Sequence, residues 1–412
     1  MNIKKCKIAI LGLGYVGLPL FFEFSKKFQV LGFDTNKNKI LSLKKRYKNK
    51  INITYNQNLL KDYNIFIVTV PTPIYANKTP DLTALKKATL LISKVLKRGD
   101  VVIYESTVYP GLTEEVCVPL LKKRNKLKFN RDFFVGYSPE RISPGEKDDF
   151  TKIRKVISGS NSSTVDFIYK LYKKIIKAGI FKASSIKVAE ASKIVENVQR
   201  DINISFMNEI SIIFSKLNIN TQEVLAAAKT KWNFINFFPG LVGGHCISVD
   251  PYYLAYKAKQ KNYDPKVILS GRKINNSMGF YVGKIIMKKI QKKLKKKNIN
   301  VGVYGLTFKE NTNDIRDSKV FDIIKILNKK KIKIYAFDPN LKKEDISKII
   351  KIRLNQKFTK LDVLVLAVPH DEFLKFNYSK LKKILNKNGL IFDIRGILKD
   401  KKIKENFDYW SL

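Results

Sequence analysis

Residues 243–251, Gly-Gly-His-Cys-Ile-Ser-Val-Asp-Pro, contain Cys246, one of only three cysteines among 412 residues. Gly243 and Gly244 precede the thiol, and Asp250 follows it by four residues. A cysteine thiolate is an intrinsically strong nucleophile, and a neighbouring carboxylate can move protons or orient water. We therefore treat Cys246 as a candidate nucleophile. The alternative is an inert buried thiol, and Asp250 could merely begin a turn before Pro251.

A second chemical pattern lies near the N-terminus, where Gly-Leu-Gly-Tyr-Val-Gly occupies 12–17 between an apolar run and a helical pattern. This is the glycine pattern of a dinucleotide-binding loop. Gly12 permits the tight turn, Gly14 lets the backbone approach a pyrophosphate, and Gly17 lets helix and strand pack closely. Asp34 stands where a carboxylate would accept ribose hydroxyls and repel a 2′-phosphate, which favours NAD over NADP. The predicted cofactor-binding residues here are Gly12, Gly14, Tyr15, Val16, Gly17 and Asp34. The alternative is a tight turn without a ligand.

Hydroxyl side chains follow two further apolar runs, in Val-Pro-Thr-Pro at 70–73 and Glu-Ser-Thr-Val-Tyr-Pro-Gly at 105–111. In a doubly wound sheet, ligands bind at the carboxyl ends of the strands. Thr72, Ser106 and Thr107 are therefore candidates to hydrogen-bond ribose, phosphate or nicotinamide, or else they serve only to form turns.

The elements that must position these residues alternate short β-branched runs with amphipathic stretches over the first 110 residues, and again over the last 110. Gly12 corresponds to Gly305, Asp34 to Asp338 and Pro71 to Pro369 at a nearly constant offset, which indicates an internal repeat. Residues 184–217 keep helical spacing without Pro or Gly. The predicted fold is α/β, with two doubly wound Rossmann-like domains joined by a long central helix. The predicted limits are 1–183 for the cofactor domain, 184–292 for a helical dimerisation and cysteine region, and 293–412 for the second domain.

Composition excludes several other classes of protein. The net charge is +45, but 69 of the 80 basic residues are lysines spread over the whole chain, and no nucleic-acid-binding module is present, so no specific nucleic acid is expected. The sequence has no uninterrupted run of 18 apolar residues, so no membrane span is expected. Three well-separated cysteines favour free thiols in a reducing cytoplasm. The two histidines, His245 and His370, lack cysteine pairs, so no metal is predicted.

A thiol combined with NAD points to an oxidation that continues past the aldehyde. A thiolate adds to an aldehyde, loss of a hydride leaves a thioester, and water then releases an acid. Such a site needs a cation for the developing oxyanions and a carboxylate to handle water.

The whole chain from residue 3 to about 400 resembles the UDP-glucose/GDP-mannose 6-dehydrogenase family, which oxidises C6 of a nucleotide sugar with two NAD+. The segments that carry the resemblance are GLGYVGLP, VPTP, ESTVYPGLTEE, YSPERISPG, AEASKIVENV, GGHCISVDPYYL, GLTFKENTNDIRDS and DIRG. A departure from the family pattern is Ser192, where a small apolar residue is commoner.

The resemblance implies a role for several individual residues. Cys246 becomes the nucleophile that carries the thioester, with Gly243 and Gly244 allowing close approach of the sugar. Asp250 and Glu140 act on the hydrolytic water. The remaining implied roles are oxyanion stabilisation by Lys193 and Asn197, nucleotide-sugar binding by Lys309 and Arg395, and contact with the NAD pyrophosphate by Arg316. His245 could be a base or a residue that shapes the pocket.

The sugar is predicted from the residues around the cysteine, because His245 before it and Val-Asp-Pro-Tyr-Tyr after it resemble the UDP-N-acetylglucosamine/galactosamine branch of Vi-polysaccharide type. The expected activity is oxidation of a UDP-N-acetylhexosamine, UDP-N-acetylglucosamine favoured, for surface polysaccharide, by a homodimer or higher homo-oligomer. The alternatives are a UDP-glucose 6-dehydrogenase and, more distantly, a non-catalytic NAD-binding regulator.

Overall fold

The computed structural model describes residues 3–142, 150–294, 298–328, 332–342, 353–354 and 360–412. The chain divides into two compact units. The first comprises Met1–Asn197 and Tyr252–Asp264, and the second Val198–Pro251 and Pro265–Leu412. Within the described part of the chain, no helix is long and apolar enough to cross a membrane.

The first unit is built on an eight-stranded sheet in the order β3-β2-β1-β4-β5-β6-β7-β8. All neighbouring pairs are parallel except β6 with β7. The strands are β1 Lys7–Leu11, β2 Gln29–Phe33, β3 Ile53–Thr54, β4 Ile65–Val68, β5 Val101–Tyr104, β6 Phe134–Tyr137, β7 Lys155–Gly159 and β8 Ile180–Lys182. The strand order reverses next to β1, and doubly wound sheets bind their ligands at this switch point.

The helices of the first unit alternate with its strands along the chain, as the crossover connections between parallel strands require. They are α1 Gly17–Ser25, α2 Lys37–Arg46, α3 Thr83–Ser93, α4 Val118–Lys122 and α5 Ser162–Tyr172, with 3₁₀ turns at Ile3–Lys5, Gln57–Asp62 and Phe150–Lys152 and a π turn at Thr113–Cys117. Asn36 and Asn161 cap α2 and α5 by accepting backbone N–H groups through their side chains.

The second unit repeats this topology with six parallel strands in the order β11-β10-β9-β12-β13-β14. The strands are β9 Ile299–Tyr304, β10 Ile332–Phe337, β11 Arg353–Leu354, β12 Leu361–Leu366, β13 Leu385–Asp393 and β14 Asp408–Trp410. Along β12, Val363 and Val365 enter one apolar core, and Leu364 and Leu366 enter another. Burial of both faces explains why the strand is apolar throughout instead of alternating with polar residues.

Long helices supply much of the rest of the chain. α6 covers Ile186–Leu217, so it begins in the first unit and ends in the second, and α9 covers Lys266–Lys293. The other helices are α7 Thr221–Ala228, α8 Asp250–Lys259, α10 Val320–Leu327, α11 Asp371–Leu374, α12 Tyr378–Ile384 and α13 Lys401–Asn406. In the second unit, the buried Arg272 of α9 donates to Asp201 of α6 at 2.6 Å.

The predicted fold class is confirmed, since both sheets are doubly wound and the predicted helix 184–217 is α6. The six strands of the second sheet follow the order of the first six strands in the first sheet. The predicted domain limits 1–183, 184–292 and 293–412 stay a prediction. Residues 288–297 form a lysine-rich stretch, KKIQKKLKKK, of which residues 295–297 lie outside the described residues.

Candidate active site

The glycine loop after β1 has the backbone that a dinucleotide turn requires. Gly12 has φ +98°, and a Cβ there would lie 2.9 Å from the Thr69 carbonyl oxygen. A Cβ on Gly17 would lie 1.8 Å from the Gly12 carbonyl oxygen, which leaves no room for a side chain. Among the described residues, no atom lies within 4 Å of a Cβ placed on Gly14, so the backbone there is open to a ligand. Tyr15, exposed, and Val16, half-buried, complete the turn into α1. This arrangement fits a pyrophosphate at the start of α1.

Asp34 follows β2 and is fixed beside this loop. Its Oδ2 accepts the Leu13 N–H at 3.1 Å and lies 2.8 Å from the Lys39 ammonium, and its Oδ1 accepts the Asn36 N–H. Burial raises the pKa of Asp34, but the Lys39 ammonium and the two backbone N–H groups outweigh it, and the net shift is downward. The carboxylate is therefore ionised and held at the position where ribose hydroxyls would donate to it.

Two of the predicted hydroxyl residues connect the loop after β4 to the loop after β5. Thr72 Oγ1 donates to the Thr107 carbonyl at 2.7 Å, and Ser106 Oγ donates to the Val70 carbonyl at 2.7 Å. Tyr253, buried on α8, donates to the Thr72 carbonyl at 2.9 Å. Each hydroxyl oxygen can still accept a hydrogen bond, so a cofactor role for Thr72, Ser106 and Thr107 stays a prediction.

One face of α6 in the first unit carries the predicted pair Lys193 and Asn197, one turn apart. Lys193 is half-buried and Asn197 is buried. The same face carries Glu190, buried, whose two carboxylate oxygens accept the Gly111 N–H at 2.5 Å and the Thr113 N–H at 2.9 Å. Burial raises the pKa of Glu190 to about 7. Glu190 was not among the predicted residues, although it lies in the segment that carried the resemblance.

Glu140, which follows β6, is buried and firmly held. Its Oε1 accepts the N–H groups of Arg141 at 2.7 Å and Ile142 at 2.6 Å, and its Oε2 lies 3.2 Å from the Lys155 ammonium. Burial by itself raises the pKa of Glu140, but Lys155 and the two N–H groups reverse this, so the net shift is downward. An ionised, oriented carboxylate of this kind can accept a proton from water.

The candidate nucleophile lies in a tight turn of the second unit that leads into α8. The Cys246 carbonyl accepts the N–H groups of Val249 at 3.0 Å and Asp250 at 2.8 Å, and buried Asp250 begins α8 four residues after the cysteine. Cys246 is half-buried, whereas Cys6 and Cys117 are buried. Burial raises the pKa of Cys6 to about 11 and that of Cys117 to about 12, so both are thiols at neutral pH.

The two glycines before the cysteine have a packing reason within the second unit. A Cβ on Gly243 would lie 2.4 Å from the Asp317 carbonyl oxygen, and one on Gly244 would lie 2.6 Å from the Phe308 ring. Gly244 also has φ +86°, and its N–H donates to the Arg316 carbonyl at 3.1 Å. The glycines thus let the cysteine turn pack against residues 308–317, and close approach of a sugar at Gly243 and Gly244 stays a prediction.

His245 is part of a charged cluster in this turn. Its Nδ1 lies 3.4 Å from Asp314 Oδ2, and Arg316 Nη2 donates to the same oxygen at 2.5 Å. The hydrogen bond with Asp314, followed by that with Cys246, raises the pKa of His245 to about 9. The imidazole is therefore a cation at neutral pH, which argues against a role as a base. Since the Arg316 guanidinium is paired with Asp314, its contact with the NAD pyrophosphate stays a prediction.

The predicted nucleotide-sugar contacts lie in the second unit. Half-buried Lys309 follows β9, and its carbonyl accepts the hydroxyls of Thr307 at 2.8 Å and Thr312 at 3.1 Å. Arg395 follows β13, where its Nη1 donates to the Pro239 carbonyl at 3.4 Å and its guanidinium lies 5.9 Å from the centroid of the Phe238 ring. Both follow the carboxyl ends of strands, where a doubly wound sheet binds ligands.

The repeat predicted between the two sheets includes the turn after the first strand of each, β1 and β9. Gly305 has φ +84°, and Asp338 accepts the Leu306 N–H at 2.7 Å, as Gly12 and Asp34 do in the first sheet. In the second sheet, however, His370 Nε2 lies 3.1 Å from Asp338 Oδ2, and both side chains are buried. This carboxylate is covered by a histidine of its own sheet, so a ribose cannot use it as one would use Asp34.

Comparison with known proteins extends this picture to the whole chain. Three models of the UDP-glucose/GDP-mannose dehydrogenase family match: the NAD binding domain at residues 44–176, the central domain at 187–277 and the UDP binding domain at 302–400.

Similar proteins span the full length of the chain. The UDP-N-acetyl-D-glucosamine 6-dehydrogenase of Pseudomonas aeruginosa is 46% identical over 97% of this chain and 99% of its own. The enzyme of that name from Salmonella typhi is 46% identical over 96% and 97%. Protein CapL of Staphylococcus aureus is 45% identical over 98% and 99%.

Solved structures agree with these sequence matches. The UDP-D-ManNAc dehydrogenase of Pyrococcus horikoshii superposes with a TM-score of 0.85 at 30% identity, covering 98% of both chains. The UDP-N-acetyl-mannosamine dehydrogenase Cap5O of Staphylococcus aureus gives 0.82 at 28% identity, with the same coverage. Since all three domain models match and nearly half of the residues are shared with full-length relatives, the chain belongs to the UDP-glucose/GDP-mannose dehydrogenase family, whose members are NAD-dependent oxidoreductases.

Proposed function

We propose that this enzyme oxidises C6 of a UDP-N-acetylhexosamine, UDP-N-acetylglucosamine favoured, to the carboxylate through a thioester on Cys246. The observation that carries the chemistry is the half-buried Cys246 in the turn that begins α8, in a chain whose other two cysteines are buried. The choice of sugar rests on the two relatives named UDP-N-acetyl-D-glucosamine 6-dehydrogenase.

The reaction divides into two oxidations and one hydrolysis. Bound NAD+ would accept one hydride in each oxidation. Gly12, Gly14 and Gly17 would hold its pyrophosphate, and Asp34 its ribose. After the first oxidation, the Cys246 thiolate adds to the C6 aldehyde, and Lys193 and Asn197 donate hydrogen bonds to the resulting oxyanion. The second hydride loss leaves the thioester.

Hydrolysis releases the product. A water oxygen bonds to C6, the bond from C6 to Sγ breaks, and the electron pair returns to Cys246 as thiolate. Glu140 accepts a proton from the water, and Asp250 helps to orient it. On the substrate side, Lys309 and Arg395 would bind the nucleotide, as their positions after β9 and β13 support.

We also infer that the enzyme acts in the cytoplasm as a homo-oligomer, with a dimer as the simplest form, in surface polysaccharide synthesis. Phe206, Ile213 and Leu217 lie on one side of α6 at helical spacing, each about half exposed. A matching apolar face on a second copy would cover them. Three free cysteines are compatible with a reducing compartment.

The test is to count NADH formed per sugar consumed. The purified enzyme is mixed with NAD+ and, separately, with UDP-GlcNAc, UDP-GalNAc, UDP-glucose or GDP-mannose. Two NADH per UDP-N-acetylhexosamine, with little from UDP-glucose, is the expected result. Preference for UDP-glucose would replace the proposed substrate, and one NADH per sugar would remove the thioester from the mechanism.

A matched variant separates the enzyme from a regulator that only binds NAD. Cys246→Ala is expected to bind NAD with unchanged affinity and to lose conversion to the acid. If the native protein binds NAD yet forms no NADH with any of the four sugars, the regulator becomes the better interpretation.

A further inference from the structure

A cluster of buried charges in the first unit lies behind the Glu140 carboxylate. Its members are Glu105, just after β5, Lys155, the first residue of β7, and Tyr172, the last residue of α5. The Lys155 ammonium lies 2.6 Å from Glu105 Oε2 and 3.2 Å from Glu140 Oε2, and the Tyr172 hydroxyl donates to Glu105 Oε1. We call these three side chains, together with Glu140, the buried cluster.

The charges in the buried cluster do not balance, because one ammonium serves two carboxylates. Burial favours the neutral form of Lys155, but both carboxylates reverse this and the net effect raises its pKa, so it stays a cation. Burial raises the pKa of Glu105 to about 7. The pKa of Glu140 is lowered instead, since its Oε1 also accepts two backbone N–H groups. Before water reacts, Glu105 is therefore the carboxylate that is more easily protonated, and Glu140 stays ionised.

The two carboxylates also differ in what their oxygens can still accept. Glu105 has no exposed side-chain surface, and its two oxygens accept from the Lys155 ammonium and the Tyr172 hydroxyl, both inside the cluster. The side chain of Glu140 is 11% exposed. Its Oε2 lies 3.2 Å from the Lys155 ammonium, farther than the 2.6 Å between that ammonium and Glu105 Oε2. A carboxylate oxygen has two lone pairs, so Oε2 retains the capacity to accept a proton from water.

A buried lysine paired with carboxylates could serve stability alone. Replacing a buried ion pair by apolar groups is often neutral, however, so stability gives no reason for this particular arrangement. The cluster does have one chemical effect: it keeps the Glu140 carboxylate ionised and in a fixed orientation.

We propose that Lys155 is a positioning residue for the hydrolytic step: held by Glu105, its ammonium keeps Glu140 anionic and aimed so that Oε2 takes the proton of the attacking water. The inference rests on the proposed function, in which water attacks C6 of the thioester and the Cys246 thiolate leaves. The two hydride transfers precede this step, so they do not depend on Lys155.

The test compares Lys155→Met, which keeps length and removes charge, with Lys155→Arg, which keeps the charge. Lys182→Met is the matched control, because Lys182 pairs with Asp166 at 2.6 Å on the exposed surface of the same unit. NADH formation is followed by stopped flow at pH 7, and Cys246 is examined by mass spectrometry after quenching.

For Lys155→Met we expect a first burst of two NADH per site at close to the native rate, followed by turnover at least tenfold slower. The acyl adduct should accumulate on Cys246, and turnover should recover as pH is raised. Lys155→Arg should restore most of the turnover, and Lys182→Met should match the native enzyme. Native turnover without an adduct in Lys155→Met, or equal loss of burst and turnover in a folded variant, would overturn the proposal.

Lys155→Met leaves two buried carboxylates without their cation and can therefore fail to fold. The double variant Lys155→Met/Glu105→Gln removes the cation together with the charge of the carboxylate that holds it. The same acyl adduct on Cys246 is expected to accumulate in this variant. If the double variant folds and turns over at the native rate, the proposal is wrong. Failure of the proposed function is distinguishable, because the native enzyme would then give no burst of two NADH.

Discussion

Two alanine substitutions in the glycine loop separate folding from cofactor binding. Gly17→Ala places a Cβ 1.8 Å from the Gly12 carbonyl oxygen and 2.5 Å from Thr69 Oγ1. Gly14→Ala places a Cβ that has no atom of the described residues within 4 Å, and Gly14 has no positive φ. An added methyl group therefore clashes with the fold at position 17 and fits without a clash at position 14.

The expected magnitudes follow from these distances. Real Cβ atoms essentially never come within 3.0 Å of another heavy atom, so Gly17→Ala must move the backbone by more than an ångström. Overpacking of this kind costs about 1–3 kcal/mol, or about 2–12 °C in Tm for a domain of this size. Gly14→Ala should stabilise the chain by about 0.4–1 kcal/mol, because it restricts the unfolded state. Its methyl group would displace the pyrophosphate from the N–H groups, and loss of one charged hydrogen bond, about 1.5–3 kcal/mol, weakens NAD binding by about 10- to 100-fold.

The assay is thermal unfolding of both variants together with calorimetric titration by NAD. We expect Gly17→Ala to melt lower, and Gly14→Ala to melt at or above the native Tm while binding NAD weakly. If Gly14→Ala binds NAD within twofold of the native value, the pyrophosphate does not approach this backbone. If Gly17→Ala melts at the native temperature, the packing argument for the loop is wrong.

Further predictions concern charge and reactivity. Asp34→Asn should weaken NAD binding about tenfold and narrow the gap to NADP, measured by parallel titrations, since the neutral amide no longer repels a 2′-phosphate; unchanged discrimination would remove Asp34 from the ribose site. In native protein at pH 8, iodoacetamide should alkylate Cys246 at least tenfold faster than the two buried cysteines, because thiols with pKa values of about 11 and 12 are roughly 0.1% thiolate or less; equal labelling would contradict their burial. His245 should titrate near pH 9 by NMR and shift toward its ordinary value in Asp314→Asn. Since its pKa is raised by folding, its contribution to stability is complete below about pH 6.5 and is lost as pH rises through 9, so a protein equally stable across that range would refute the pairing. Arg272→Met should cost about 3–5 kcal/mol in urea unfolding, because it leaves a buried carboxylate unpaired, and a loss under 1 kcal/mol would refute that view.

Much of the fold was predictable because buried parallel strands have continuous apolar runs that few other elements share. The strands β1, β2, β4 and β5 lie in the first 110 residues, and β10, β12 and β13 in the last 110, where the sequence analysis predicted strands alternating with helices. The family and the NAD cofactor, predicted from motifs, are confirmed by the domain matches. Short strands such as β3, with two residues, and β8, with three, were missed, because so few residues cannot establish a period.

The candidate site was predicted less completely. Cys246 and the glycine loop are recognisable because a rare residue and a fixed glycine spacing are informative in one dimension. Lys155 gave no such signal, since it is one of 69 lysines and nothing in its local sequence distinguishes it from those in solvent. His245 was noticed, but its protonation state was not, because Asp314 lies far along the chain.

The sequence by itself determined the order of elements, the position of the NAD turn and the identity of the candidate nucleophile, since each depends on local spacing or on a residue type. Only the tertiary structure decided which charges are buried together. It brought Glu105, Glu140 and Lys155 from three separate strand ends into one cluster, and it covered Asp338 with His370 where Asp34 remains accessible. The energy of a charge depends on its surroundings, and those surroundings exist only after strands distant in sequence have packed side by side.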